Sequence, residues 1–189
     1  IVSGGPAPGI NGVIHSAAIE ARTRGYDVIG FYDGFKHLME GELVATPLTI
    51  DDVSRIYLRG GSGLRTSRAN PTQEEEHLRL CSEVLMDADI GYLLVIGGDD
   101  TAYAAYRVAR YAQEHMGTDI QVAHAPKTID NDLPLPEEIN TFGYETAREV
   151  GTQITMSLME EALTGLRWFV VVTMGRKTGH LALGIGKSS

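Results

Sequence analysis

The stretch "YLLVIGGDDTAYAA", residues 92–105, decides the fold. Four apolar residues, Leu93 to Ile96, read as a strand buried in a parallel sheet, and the Ala/Tyr-rich segment from Thr101 reads as a helix. Gly97 to Asp100 then form the strand-to-helix turn, which is where α/β proteins bind ligands. Backbone N–H groups and the positive end of the helix suit phosphate there. Two adjacent carboxylates suit a helix cap or a hydrated Mg²⁺ instead, and on this stretch alone both readings of Asp99 and Asp100 stand.

Working outward, strand-like segments at 1–3, 28–32, 93–96, 121–125 and 168–173 alternate with helix-like segments at 12–24, 72–86, 101–114, 141–163 and 179–186. That alternation predicts an α/β fold with a parallel sheet covered by helices. The proline-containing "NDLPLPEE", residues 131–138, is the expected passage between two domains, 1–134 and 135–189. The opening "IVSGG" starts within a strand-like run and lacks an initiator Met, so the chain is expected to be a fragment with an incomplete second domain.

Composition narrows the function classes. A formal net charge of −9 over 189 residues disfavours nucleic acid as a partner. The single cysteine, Cys81, forms no internal disulfide, and no Cys/His grouping has zinc spacing, so a reducing, cytoplasmic setting is expected. No apolar run approaches the ~20 residues of a membrane span, so no membrane partner is expected.

Four strand-like segments run into loops rich in glycine or charge: "SGGPAPGIN", "GGDDT", "PKTIDNDL" and "MGRKTGH". In a parallel sheet such loops line one edge, the expected site. The first lets backbone approach a phosphate or is simply a tight turn; it is neither GxGxxG nor GxxxxGK[ST], which disfavours a dinucleotide-binding dehydrogenase. In the third, alternation of an extended segment puts Thr128, Asp130 and Asp132 on one side, fit to grip a hydroxylated substrate, with one carboxylate accepting a proton. Lys127 or a bound cation would keep that base ionised. Arg176 and Lys177 in the fourth suit a phosphate or solvate a strand end. A further loop, "RGGSGLRTSRANPT" at 59–72, brings Arg59, Arg65 and Arg68, as a solvated surface loop or as phosphate ligands. Taken together the four loops describe phosphoryl transfer to an alcohol.

Over essentially its whole length the sequence resembles the phosphofructokinases, in their diphosphate-dependent branch, through "GGPAPGIN", "GGDDT", "PKTIDNDL" and "MGRKTGHLAL" in order and spacing. The resemblance implies a three-layer α/β/α fold of two similar domains and transfer from diphosphate to the 1-hydroxyl of fructose 6-phosphate. By the same resemblance Asp130 looks like the base, Thr128 and Asp132 flank the sugar, and Asp99 matches the Mg²⁺ aspartate. Gly5 matches a backbone contact to the donor, and Met174, Gly175 and Arg176 match a sugar-binding run. Arg68 matches an arginine near the transferred phosphate, although "LRTSR" departs from the family's small-residue pattern. Arg167 matches an arginine reaching a neighbouring subunit's sugar phosphate, which implies a homo-oligomer with shared sites.

Asp100 stands where ATP-using relatives usually carry glycine. A carboxylate there fills space and opposes an α-phosphate, with like charges at ~4 Å repelling by about 1–4 kcal/mol, while diphosphate is spared. Lys127 resembles a compensating cation for diphosphate. The alternatives are an ATP-dependent 6-phosphofructokinase that tolerates Asp100 and a catalytically idle subunit, the latter expected to lose Asp130 or Arg176, both of which are kept.

Overall fold

The computed structural model describes residues 1–136 and 138–189, so Glu137 of the proline-containing segment lies outside the described residues. Two compact units divide within a strand, Ile1–Pro126 and Lys127–Ser189, whereas the expected domain boundary was 134/135.

The first unit is built on β3 (Tyr92–Gly97) and β4 (Gln121–Thr128), which pair in parallel from Tyr92–Gln121 to Gly97–Pro126. The chain start runs alongside β3, with Val2 bridging Ile96 in parallel and the Ser3 N–H donating to the Ile96 carbonyl at 3.0 Å. Three segments that sequence reasoning spread over the first 125 residues therefore lie side by side, pointing the same way. The strand expected at 28–32 forms as β1 (Ile29–Phe31), but outside that sheet: it meets β2 (Ala45–Pro47), which sequence reasoning missed, in antiparallel. The three residues of β2 end in proline and carry no alternation to read.

Helices α1 (Ile10–Thr23), α2 (Lys36–Met39), α3 (Ile50–Val53), α4 (Glu75–Asp87) and α5 (Asp99–Tyr111) complete this unit. Leu93 and Val95 of β3, two residues apart and so on one face, pack with Leu78, Cys81 and Leu85 of α4 and with Ala104, Ala105 and Val108 of α5. The small side chains of Ala104 and Ala105 sit among the buried positions of α5, at the 3–4 residue spacing of one helix stripe. Ser82, buried between these helices, donates to the Leu78 carbonyl at 2.7 Å and lies 3.1 Å from the Val108 carbonyl, so its polar atom is satisfied. Burial pushes the Cys81 thiol up to about 12, which leaves it protonated and inert.

In the second unit β5 (Phe142–Gly143) pairs in parallel with Lys127 and Thr128 of β4, and α6 (Tyr144–Gly165) and α7 (His180–Ser188) follow. Its buried cluster is Tyr144, Leu181 and Ile185. The expected strand at 168–173 does not form. Trp168 is 99% exposed and Val170 90%, and among the described residues nothing pairs with their backbone, so the β-branched run has no ladder to join. No helix of the described residues is long and apolar enough to cross a membrane.

Candidate active site

In the first unit the glycine-rich turn after the chain start is fastened to the loop at 59–72. The Gly4 N–H donates to the Ser67 carbonyl at 2.8 Å, and the Thr66 hydroxyl returns a bond to the Gly4 carbonyl at 2.8 Å. Asn11, 4% exposed at the start of α1, accepts from the Gly63 N–H at 2.7 Å and donates its amide to the Arg59 carbonyl at 3.0 Å. These bonds fasten the backbone of 59–72, while Arg59, Arg65 and Arg68 stay exposed. They also bring two expected residues together: a Cβ placed on Gly5 would lie 3.6 Å from Nη2 of Arg68. An exposed guanidinium therefore stands beside a glycine backbone at the carboxyl end of the sheet, a pairing suited to a phosphate. Sequence reasoning missed Asn11, because nothing in local pattern links it to residues 48 positions or more away.

At the end of β3, the N-cap of α5 is Gly98, and neither aspartate makes a side-chain cap bond. The cap reading thus falls. Asp99 and Asp100 are the exposed first two residues of α5, where the helix dipole favours a negative charge by roughly 0.3–1 kcal/mol each. Gly97 is required here, since a Cβ on it would meet the Thr101 hydroxyl oxygen at 2.3 Å and prevent β3 from turning directly into α5. His124 of β4, also missed, reaches the Gly97 carbonyl at 2.7 Å and steadies the same turn. A hydrated Mg²⁺ needs only one or two carboxylates with the substrate's phosphates completing its shell, and the exposed Asp99 carboxylate meets that requirement.

In the second unit the extended backbone stops at Thr128. Asn131 takes a left-handed φ of 52°, Asp130 is 7% exposed and Asp132 is exposed, so the alternation expected for Thr128, Asp130 and Asp132 does not hold. Side-chain-to-backbone bonds shape the loop instead. The Asp130 N–H donates to the Thr128 hydroxyl oxygen at 3.0 Å, and the Thr141 N–H donates to the Asn131 amide oxygen at 2.9 Å. The Thr141 hydroxyl donates to the Thr128 carbonyl at 2.8 Å. Asn and Thr commonly shape turns in this way.

The Asp130 carboxylate is the unusual group. Its Oδ1 is buried without a hydrogen-bond partner, and its Oδ2 lies 3.9 Å from Nε of Arg176. Arg176 has a left-handed φ of 49°, held by a turn in which the Thr178 N–H donates to the Gly175 carbonyl at 2.8 Å. The Thr178 hydroxyl lies 3.2 Å from the Asp130 carbonyl, tying "MGRKT" to "TIDND". The structure thus unites Asp130, Thr128, Gly175 and Arg176. Lys127 is buried at 4% exposure, Met174 is 67% exposed, and Arg167 makes a loose pair with Glu161 at 3.6 Å.

The phosphofructokinase family profile matches residues 1–188. A pyrophosphate–fructose 6-phosphate 1-phosphotransferase of Thermotoga maritima is 54% identical over 190 residues, covering 100% of this chain and 44% of that relative. An ATP-dependent 6-phosphofructokinase of Thermus thermophilus is 35% identical over 184 residues, covering 97% of this chain and 54% of that relative. Among solved structures, phosphofructokinase from Saccharomyces cerevisiae superimposes with a TM-score of 0.86 at 26% identity, over 98% of this chain and 27% of that one. The chain thus spans about half or less of the length of these relatives.

Proposed function

The chain belongs to the phosphofructokinase family, and from that premise we propose that it carries out phosphoryl transfer from diphosphate to the 1-hydroxyl of fructose 6-phosphate, yielding fructose 1,6-bisphosphate and phosphate. The observation that carries the proposal is the buried, unpartnered Oδ1 of Asp130 beside Arg176. A buried carboxylate oxygen left without a donor is costly, by about 1–3 kcal/mol or more for a charged group, unless a substrate supplies one. A sugar hydroxyl does so.

In this reading the Asp130 loop serves the acceptor, and the residues around Gly5 and Arg68, with Lys127, serve the donor. Oδ1 of Asp130 takes the proton of the 1-hydroxyl as its oxygen attacks the terminal phosphorus, and the bond from that phosphorus to the bridging oxygen breaks to release phosphate. Thr128, Asp132, Met174, Gly175 and Arg176 hold the sugar phosphate. Gly5 backbone, Arg68 and Lys127 hold diphosphate, each through donors suited to its oxygens. Asp99 would hold Mg²⁺, which supplies charge neutralisation on the phosphates when bound. Asp100 excludes ATP. Arg167 serves the sugar phosphate of a neighbouring copy in a homo-oligomer, and the setting is cytoplasmic. The preference for diphosphate over ATP is supported by Asp100 and by the higher identity to the Thermotoga maritima relative.

The test is product formation by the full-length protein from fructose 6-phosphate and Mg²⁺ with either donor. Bisphosphate should form with diphosphate and at least about five times more slowly with ATP, the low end of the charge penalty. Turnover with ATP alone would transfer the proposal to the ATP-dependent alternative, and no turnover with either would end it.

A further inference from the structure

We infer that His37, Glu40 and Glu42 form a binding site for a divalent transition-metal ion of the Zn²⁺ class, built where α2 ends and sharing no residue with the proposed phosphoryl-transfer site. Among the described residues these three offer ligand atoms that all lie within 4.8 Å of one another.

The backbone brings them together. The Glu42 N–H donates to the His37 carbonyl at 2.9 Å and the Gly41 N–H to the Leu38 carbonyl at 3.1 Å, the two bonds of a Schellman ending. Gly41 occupies the left-handed position of that motif with φ 76°. The chain is thereby folded back so that Glu42 returns to the side chain of the helix's second residue. Phe35 and Leu38, at 0% and 1% exposure, anchor the helix and fix where His37 points.

The separations leave room for a shared ion. Nδ1 of His37 is buried and makes no hydrogen bond, yet it lies 3.3 Å from Oε2 of Glu40 and 3.7 Å from Oε2 of Glu42. A hydrogen bond here would be in line and about 2.7–3.2 Å long. Metal–ligand bonds of about 2.0–2.2 Å in a tetrahedral site set ligand atoms roughly 3.3–3.6 Å apart, so Oε2 of Glu40 stands at that spacing and the exposed Glu42 side chain closes slightly on binding.

The other ring nitrogen supplies the supporting shell. Nε2 lies 3.2 Å from Oδ2 of Asp33, and that oxygen is held by Nη2 of Arg65 at 2.7 Å. With the proton on Nε2 facing Asp33, Nδ1 turns its lone pair toward the glutamates, the carboxylate–histidine–metal pattern. Glu40 and Glu42 have side chains 52% and 61% exposed, leaving an entry path and a position for water. One imidazole and two carboxylates match Zn²⁺ or Co²⁺, whereas Mg²⁺ prefers an octahedral oxygen shell.

The experiment is titration of Co²⁺ into chelator-treated full-length protein, in an Asp99→Asn background that removes the other candidate metal carboxylate. A single Co²⁺ per chain should bind with the visible absorption of a four-coordinate ion and be displaced by Zn²⁺. Glu40→Gln with Glu42→Gln should abolish that absorption, and both positions are exposed enough to keep the fold, which circular dichroism checks. Asp33→Asn, which tolerates the left-handed backbone there, should weaken binding by about 10–100-fold. Absence of Co²⁺ binding, or an unchanged spectrum in the double variant, overturns the inference and leaves His37 as a histidine packed among three carboxylates. The outcome is independent of the donor assay, because the readout is metal binding.

Discussion

The two compact units hold their polar groups in different ways. In the first, a buried cluster running from β3 through α4 and α5 supports the loops, and Asn11, Thr66 and Ser67 fasten those loops to one another. In the second, the buried cluster is three residues, while Val150, Ile154, Met159 and Leu163 of the long helix α6 are half or more exposed. Its Asp130 loop is shaped mainly by polar bonds from Thr128, Asn131, Thr141 and Thr178. The contrast teaches that apolar burial supports the candidate residues of the first unit and a polar lattice shapes those of the second.

The largest expected effect strikes the polar lattice at its unpartnered atom. Asp130→Asn keeps the side chain's shape and removes the proton acceptor, so turnover of the full-length protein should fall by about 10²–10⁴-fold with the KM for fructose 6-phosphate little changed. Near-normal turnover would remove Asp130 from the chemistry and leave the polar loop a structural feature only.

Next in size is a blow to the apolar core of the first unit. Leu85 is 0% exposed, and Leu85→Ala should cost about 2–5 kcal/mol in denaturant unfolding, lost transfer energy plus a cavity. A cost below about 1 kcal/mol would mean that the core collapses around the gap and that the contrast between the units is overdrawn.

Asp100→Gly comes third. It should move the ratio of kcat/KM for ATP against diphosphate toward ATP by about 1–4 kcal/mol, since selectivity is a difference between two transition-state affinities. An unchanged ratio in a folded enzyme would reduce Asp100 to a partner of the α5 dipole, because the structure already removes it as a cap. Smallest is Leu163→Ser on the exposed face of α6, where stability by thermal unfolding should stay within about 0.5 kcal/mol. A much larger loss in the full-length protein would reveal that this face is covered there, and the second unit would then resemble the first.

Legibility followed the range of the interactions. The β3–turn–α5 unit is readable because its apolar run, its glycines and the period of Thr101, Ala104, Ala105 and Val108 are local signals. The grouping of Asp130 with Arg176 came from a resemblance carried by motifs, and the structure supplies its geometry. The segment at 168–173 misled because β-branched composition records a preference for strands, whereas a strand exists only where another backbone pairs with it. Alternation failed at Asp132 because one left-handed residue, Asn131, reverses the direction in which side chains leave the chain.

By itself, then, the sequence determined the α/β class, the parallel run of the chain start, β3 and β4, and the residue types gathered in four loops. Those properties follow from periodicity and from the φ/ψ limits of glycine and proline, which act over a few residues. Only the tertiary structure decided that Asn11 would latch residues 59–63 and that Arg68 would stand beside Gly5. It also decided which oxygen of Asp130 would be buried without a partner. Such outcomes depend on which distant backbone groups remain to be satisfied once the apolar faces have packed, and no local pattern encodes that remainder.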